Sequence, residues 1–589
     1  MKTINIIKKV FAIGIVAMML HSCNLDELPQ SSMAPENSFK DETELKLYIN
    51  GLLPMISGST LEKADNGIES SLPSYMIGLR SSTQDPGDWS WSDLRNVNIF
   101  LKYSVNCSDE AVRAKYNAMA YYLRALFYYN KLKTFGGVPY YDFVLDDNSP
   151  ELYNPRDTRD LVAEKILLDI DNAIKDGVTD KKINDISKWT SLALKSRFCL
   201  FEGTYRKYHN LEGAEKYLQE CVSASEELMA SGKYTIDGTG GVNVAYRDLF
   251  VQPNTQDASD KEVITAVAYS TALGVRHGLN YTIVNTAGNK VGFEKTFINS
   301  YLMADGSRFT DKPDYDKKTF LDEFQNRDPR LKQTVRGPDY VRVGESSSSA
   351  ANVIQAITLC TTGYMPIKYF SAKVYDVQNA NENDIIVYRY AEVLLNYAEA
   401  KAELGTLTQD DLDKSIRLIR NRVGMPNINM ADANSKPDQY LWDLYKNVSG
   451  TNAGVILEIR RERRIEMAME GLRYDDLMRW KEGHLFVPQF KGVYFPGEGG
   501  YDLTGDGKND VYLYTGTRPS SSVLGGATAI KLNSMIFLSE GNSGNMVVNT
   551  DKVKSWNEDR DYLAPIPSSA LVINKNLEQN PYWDSPNNN

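Results

Sequence analysis

Apolar residues recur at three- and four-residue steps between positions 40 and 231 and again between 384 and 480. This is the period of an α-helix with one buried face. In the segment 110–133, for example, Ala118, Tyr122, Ala125 and Tyr129 share a face. The pattern predicts helices over residues 40–50, 94–103, 110–133, 158–175, 186–207, 211–231, 384–404 and 409–423.

Residues 452–480 predict one unbroken helix that ends at Trp480, and this helix is densely charged. Arginines 460, 461, 463 and 464 alternate with glutamates 458, 462, 466 and 470. Such density usually marks a solvated surface, on which each intrahelical pair contributes only ~0.2–0.5 kcal/mol. The alternative is a structural helix of the core whose charges are partly locked in pairs, and we favour it on the resemblance described below.

The remaining segments have no helical period. Residues 262–270 (EVITAVAYS) are strand-like within the mixed region 233–380, and Gly, Asn, Ser and Pro dominate after residue 486, where we expect sparse regular structure. Paired helices with alanines at close-approach positions predict tetratricopeptide-like hairpins, although no strict 34-residue period is present. The predicted fold is therefore mostly α, with degenerate helical hairpins, large loop-rich insertions and a few short strands.

The N-terminus has the features of an export signal. Lys2, Lys8 and Lys9 precede an apolar run, residues 10–20, that is too short to span a bilayer. The following Leu-His-Ser-Cys resembles a bacterial lipobox, which predicts a signal peptide over 1–22, lipidation of Cys23 and a polar tether over 23–38. A lipidated cysteine would attach the protein to a membrane without a spanning segment.

Composition and the absence of catalytic motifs exclude several classes of function. The net charge of −11 argues against nucleic-acid binding, which needs a basic surface. Zincin, nucleophile-elbow and phosphate-loop motifs are absent from the sequence, and acidic residues are too numerous for spacing to identify a glycosidase pair. Four cysteines other than Cys23 have no metal-binding spacing, which favours buried thiols and leaves one disulfide open.

One segment is similar to a calcium loop. The oxygen-bearing residues Asp502, Thr504, Asp506 and Asp510 alternate around a glycine, but Leu513 stands where a calcium loop has its bidentate glutamate. The alternatives are a bound Ca²⁺ and a plain Asp/Gly turn between strands.

Two polar, aromatic loops are candidate glycan sites, because a sugar presents an apolar C–H face and a ring of hydroxyl groups. Arg80, Asp85, Trp89 and Trp91 lie on one loop. The other loop carries Tyr281, Asn285 and Asn289. The alternative for the tryptophans is structural, since they could anchor their loop on helix 94–103.

Several motifs together resemble the SusD/RagB family of outer-membrane nutrient-binding lipoproteins, over essentially the whole chain. After a start at Cys23 like that of the family, they are LRNVNIFL (94–101), YYLRALFYYNKLKTFGGVPY (121–140), NRDPRL (326–331), TTGYMPIKY (361–369), YRYAEVLLNYAEAKAELG (388–405), IRNRVGMP (419–426), RERRIEMAMEGLRYDDLMRW (461–480) and YLAPIPSSALVINKNLEQNPYW (562–583). The last motif departs from the family pattern, which usually ends in N-P-G-W.

The resemblance implies one compact body made of an N-terminal helical region (39–232) and a C-terminal region (233–589). It implies a surface-exposed lipoprotein that captures oligosaccharides, needs no cofactor, has no catalytic activity and delivers its ligand to a SusC-like TonB-dependent transporter. The family motifs belong to the scaffold, whereas the loops around Trp89 and Tyr281 look like the family's ligand-contact segments. Capture of a peptide or another non-sugar nutrient, and a surface glycoside hydrolase, remain as alternatives.

Overall fold

The computed structural model describes residues 35–60, 64–83, 88–251, 261–285 and 290–584. Cys23, Asp85 and Asn289 lie outside this part of the chain, as do the predicted signal peptide and most of the tether. Within the described ranges, no helix combines the length and the apolar character that crossing a membrane requires.

Helices dominate the architecture, as the sequence predicts. The α-helices are α1 (Glu42–Leu52), α2 (Ser92–Tyr103), α3 (Glu110–Phe135), α4 (Arg159–Asp176), α5 (Lys188–Tyr208), α6 (Ala214–Ala230), α7 (Ala245–Val251), α8 (Leu279–Val284), α9 (Lys295–Ser300), α10 (Phe320–Glu323), α11 (Arg330–Thr334), α12 (Ala350–Thr358), α13 (Tyr390–Glu403), α14 (Gln409–Asp413), α15 (Ile416–Arg422), α16 (Met430–Ser435), α17 (Gln439–Leu444), α18 (Ala453–Glu466), α19 (Arg473–Trp480), α20 (Ser521–Leu524) and α21 (Ser568–Ile573).

The strands are short and belong mainly to the second half of the chain. They are β1 (Gly67–Ile68), β2 (Val263–Val267), β3 (Gly292–Phe293), β4 (Ile385–Arg389), β5 (Lys491–Phe495), β6 (Gly499–Tyr501), β7 (Val511–Tyr514), β8 (Thr528–Lys531), β9 (Phe537–Leu538) and β10 (Gly544–Val547). Single 3₁₀ turns cover Pro35–Asn37, Leu53–Met55, Ser74–Met76, Ser104–Asn106, Pro150–Tyr153, Phe309–Asp311, Tyr315–Lys317, Lys373–Tyr375 and Gly483–Phe486.

The long helices begin and end where their terminal residues satisfy free backbone groups. The Thr158 side chain accepts from the Leu161 amide at 3.2 Å and starts α4. Ser187 and Thr190 form a capping box at the start of α5. Helix α3 ends at Gly136, whose φ of 76° is readily available only to glycine.

Antiparallel hairpins build the helical half of the molecule. Helix α3 packs on α4 and α5 packs on α6, while α13 lies between α6 and α18. A first hydrophobic core fills these contacts, and a second core lies among the strands and short helices of the later segments. The predicted mostly α fold with helical hairpins and loop-rich insertions is confirmed.

Three details of the predicted secondary structure were wrong. Helix 384–404 starts at Tyr390, because the β-branched run 385–387 instead forms strand β4 paired with β2. Helix 409–423 is interrupted between α14 and α15. After residue 486, regular structure is richer than expected, since six short strands form the sheets β5–β10–β9 and β6–β7–β8.

The predicted unbroken helix 452–480 is two helices, α18 and α19. The chain turns between them, with Met469 at φ 65° and Gly471 at φ 76°. The interpretation as a solvated surface was also wrong, because every residue of α18 is buried. The alternative of a core helix with paired charges is confirmed.

The charges of α18 enter a buried charge cluster whose members come from distant parts of the chain. Glu466 accepts from Arg389 at 2.7 Å, from Arg330 at 3.0 Å and from Arg422. Arg389 also holds Glu470 through two hydrogen bonds of 2.7 Å. The cluster comprises the cations Arg330, Lys368, Arg389, Arg420 and Arg422 and the carboxylates Glu262, Asp328, Glu462, Glu466 and Glu470.

The balance between burial and charge pairing is visible in the cluster's pKa values. Burial alone would raise the pKa of Glu466, but Arg422, Arg389 and Arg330 hold it well below its usual range. Burial lowers the pKa of Lys368 to about 8 despite its contact with Glu470. Lys368 also donates to the carbonyl oxygens of Glu466 and Ala468, at 3.0 and 2.8 Å, and so holds the turn after α18.

We predict that Glu466→Gln destabilises the fold by about 3–5 kcal/mol, because the substitution leaves buried arginines without their carboxylate. The matched control is Asp339→Asn, which removes one carboxylate from the exposed Lys332–Asp339 pair, whose side chains are 45% and 61% exposed. We expect about 0–1 kcal/mol for this control. Thermal unfolding of both variants compares them, and equal melting temperatures would contradict the structural role of the cluster.

Candidate ligand-binding clefts

The segment 88–93 separates two clefts, because its side chains alternate between them. Asp88, Ser90 and Asp93 line a polar cleft of about 810 Å³. Trp89 and Trp91, together with Ser92, line an aromatic cleft of about 490 Å³. Residues 89–91 belong to no helix or strand, and α2 begins at Ser92.

The two tryptophans are half-buried and hold each other in place. Their ring centroids lie 5.5 Å apart in an edge-to-face arrangement. Trp89 also contacts the Phe135 ring at 4.9 Å, and Trp91 contacts the Phe127 ring at 5.7 Å. The tryptophans therefore do anchor their loop, and the rings that hold them belong to α3. The same side chains still line the aromatic cleft.

Residues 139–152 and α21 form the other wall of the aromatic cleft, next to the tryptophans. Tyr141 and Phe143 supply further rings there, and the Phe143 side chain is 45% exposed. Asn98 fixes this wall, since its amide donates to the carbonyl oxygens of Tyr141 and Phe143 at 3.0 Å each. Arg95 donates to the Leu145 carbonyl at 2.8 Å. The cleft thus combines several flat apolar rings with a polar edge.

The polar cleft holds Arg80. Its guanidinium donates to the Tyr474 hydroxyl and to the Asp561 carbonyl, each at 3.0 Å, and lies 5.6 Å from the Tyr75 ring centroid. Arg80 is therefore on the other side of the segment 88–93 from the Trp89 and Trp91 rings. These contacts tie the loop to α19 and to the C-terminal segment.

Lys131 lies behind the tryptophans and was not predicted from the sequence. Its ammonium group donates to the Asp88 carbonyl and lies 5.4 Å from the Trp91 ring centroid. Burial lowers the pKa of Lys131 to about 8. The lysine thereby fixes the backbone at the point where the two clefts divide.

The structure does not bring the second predicted loop into either cleft. Tyr281 lies on α8, whose residues Leu279 and Ile283 belong to the second hydrophobic core. The Asn285 amide closes that helix by donating to the Tyr281 carbonyl at 2.9 Å. Tyr281 and Asn285 are not among the residues that line the polar and aromatic clefts.

The calcium-like loop is a hairpin loop between β6 and β7. Asp502 accepts from the amides of Thr504, Gly505 and Gly507 at 3.0, 2.6 and 2.8 Å. Asp510 accepts from the Thr504 amide at 3.0 Å, and Asp506 accepts from the Lys508 amide at 2.9 Å. These bonds make an Asp/Gly turn, and the described residues contain no group of three or more His, Cys, Asp or Glu side chains placed to hold a metal.

The four cysteines of the described residues are buried free thiols, as expected: Cys107, Cys199, Cys221 and Cys360. Burial raises the pKa of Cys221 to about 12. The open possibility of a disulfide among these four is not realised.

Comparison with known proteins places this chain in a family. A sequence model described as the SusD family matches residues 254–583, more than half of the chain. The chain belongs to the SusD family.

Two curated relatives come from Formosa agariphila. SusD-like protein P2 is 23% identical over 606 aligned positions, which cover 97% of this chain and 98% of the relative. SusD-like protein P38 is 22% identical, covering 81% of this chain and 92% of the relative.

Solved structures share the fold. A SusD-like carbohydrate-binding protein from Bacteroides fragilis superposes with a TM-score of 0.67 at 22% identity, covering 92% of this chain and 99% of its own. A laminarin-binding SusD-like protein superposes with a TM-score of 0.52 at 18% identity, covering 92% of this chain and 100% of its own.

Proposed function

We propose that this protein is a cell-surface glycan-binding lipoprotein that captures an oligosaccharide in the aromatic cleft. The observation that carries the proposal is the set of four rings, Trp89, Trp91, Tyr141 and Phe143, that line one cleft beside polar side chains. Flat rings suit the C–H faces of sugars, and a cleft of about 490 Å³ is in the usual range for small-ligand sites. Membership of the SusD family and the shared fold of the SusD-like carbohydrate-binding protein from Bacteroides fragilis support the same ligand class.

The protein acts by binding and not by catalysis in this proposal. A glycosidase needs two carboxyl groups on opposite sides of the scissile bond. The carboxylates lining the aromatic cleft are the chain neighbours Asp146 and Asp147, and Asp146 already accepts from the Asn148 amide at 3.0 Å within its own turn. Release of reducing sugar from a glycan by the pure protein would contradict this part of the proposal.

We predict that Phe143→Ala weakens glycan binding about tenfold or more, a loss of about 1.4 kcal/mol, since it removes an exposed ring from the cleft wall. Trp89→Ala should also weaken binding. Isothermal titration against the tightest glycan from an array measures both effects. The matched control is Phe537→Ala, because Phe537 is 47% exposed and lies outside the aromatic cleft. Unchanged affinity in both cleft variants would remove the aromatic cleft as the glycan site.

Delivery to a SusC-like TonB-dependent transporter is the proposed next step. The lipobox-like sequence at Cys23 supports a lipid anchor in the outer membrane, and family membership supports the transporter as partner. Several acyl chains on Cys23 would anchor the protein stably in the membrane without an additional basic patch.

We predict that Cys23→Ala releases the protein from the membrane fraction and abolishes metabolic labelling with palmitate. The wild-type protein, extracted in mild detergent, should copurify with a large outer-membrane barrel. Unlabelled wild-type protein would contradict the anchor, and extraction without a barrel would contradict the partner.

A further inference from the structure

A third cleft lies at the opposite end of α3 from the tryptophans. It has a volume of about 1030 Å³ and is bounded by α1, the first turns of α3, the loop 181–185 and the residues around 233 and 261. Lys115 of this cleft and Lys131 behind the tryptophans are 16 positions apart on α3, roughly 24 Å at 1.5 Å per residue. The third cleft is therefore separate from the proposed glycan site.

The charge of this cleft is opposite to that of the protein. Glu42 and Asp185 are its carboxylates, whereas the chain as a whole has a net charge of −11. We call it the lysine cleft, after the six lysines that line it: Lys46, Lys115, Lys181, Lys182, Lys233 and Lys261. Among the described residues that line this concave surface, six cations against two carboxylates leave an excess of four positive charges.

Internal contacts hold half of these lysines in place. Lys115 pairs with Glu42 at 2.9 Å, and the Lys181 ammonium lies 4.6 Å from the Tyr234 ring centroid. Lys261 is 3.8 Å from Asp237. By contrast, across the described ranges the side chains of Lys46, Lys182 and Lys233 form no ion pair with another residue. Among the described residues, Glu42, Asp185 and Asp237 therefore oppose six lysines, and positive charge is in excess here.

A concave surface of one charge sign attracts ligands of the opposite sign, and its like charges repel each other until a ligand neutralises them. Sulfate, carboxylate and phosphate groups are the anions that lysine ammonium groups bind. A single small anion would meet only part of a cleft of about 1030 Å³ whose lysines come from separate segments. A chain that carries several anionic groups fits the size and the spread of charge.

We propose that the lysine cleft binds an anionic oligosaccharide, one that carries sulfate or carboxylate groups along its length. This site goes beyond the aromatic cleft and does not depend on it. Its lining also includes the apolar side chains of Leu53 and Met119, which suit the C–H surface of a saccharide. The lysine cleft would then recognise the anionic groups of a charged glycan, and the aromatic cleft would recognise its sugar faces.

The test compares dextran sulfate oligosaccharides with unsulfated dextran oligosaccharides of equal length, by isothermal titration. We expect the sulfated probe to bind and the neutral probe not to bind, with affinity falling as salt rises from 50 to about 300 mM because exposed charges are screened. Oligogalacturonides test the carboxylate form of the ligand in the same way.

The decisive variant is Lys46→Gln/Lys182→Gln/Lys233→Gln, which we expect to weaken binding of the sulfated probe at least tenfold. Its matched control is Lys312→Gln/Lys508→Gln/Lys531→Gln, which removes three exposed lysines from outside the cleft and gives the same net charge. Equal weakening in the two variants would mean a general charge effect and would overturn the proposal. Failure of both anionic probes to bind the wild-type protein would overturn it as well.

Two further measurements distinguish the lysine cleft from the aromatic cleft and from a lipid-binding site. Trp89→Ala should leave binding of the sulfated probe unchanged, so that failure of the aromatic cleft and failure of the lysine cleft give different results. Vesicles of phosphatidylcholine with phosphatidylglycerol test a lipid headgroup as the anion. Lysine-dependent cosedimentation with these vesicles, without binding of either anionic oligosaccharide, would overturn the saccharide assignment.

Discussion

The buried charge cluster around Glu466 is the constraint on which the rest of the structure depends. Burying a charge is costly unless a partner of opposite charge is fixed beside it, and breaking one such pair leaves the other charge uncompensated. The cluster therefore forms only when α11, α15, the end of β4 and the turn after α18 are all in place. Helix α18 itself joins the two hydrophobic cores, since Val455 and Ile459 belong to the first and Ile465 to the second.

The cluster also explains why distant sequence motifs accompany one another. Each of five motifs supplies at least one of its charged residues. NRDPRL supplies Asp328 and Arg330, TTGYMPIKY supplies Lys368, the YRY motif supplies Arg389, IRNRVGMP supplies Arg420 and Arg422, and the α18 motif supplies Glu462, Glu466 and Glu470. These five motifs thus meet in the scaffold. The polar and aromatic clefts also draw on the motif segments 121–140 and 562–583, whereas the described lining of the lysine cleft lies outside all the motifs.

Sequence reasoning succeeded where local physical chemistry decides the structure. Helical periodicity predicted the long hairpin helices. Local pattern alone misleads where tertiary contacts override it. Charge density by itself favours a solvated surface for α18, but the helix is buried because its partners come from other motifs, and β4 replaces the first turn of a predicted helix because β2 pairs with it.

The same reason limited prediction of the sites. Trp89 and Trp91 could be identified as candidates because they lie on one loop, and the structure adds Tyr141 and Phe143 from a segment about 50 residues away. Tyr281 and Asn285 were grouped with them only by composition, and they line neither the polar nor the aromatic cleft. The lysine cleft gave no signal in the sequence, because its six lysines come from α1, α3 and separate later segments.

In our proposal, a scaffold held together by the buried charge cluster presents a glycan site at the aromatic cleft. A crystal structure of the protein soaked with the tightest glycan from an array tests this most directly. We expect sugar density against the rings of Trp89, Trp91 and Phe143, with the Glu466 cluster unchanged. Sugar density confined to the surface around Tyr281, with the aromatic cleft empty at saturating ligand, would contradict it.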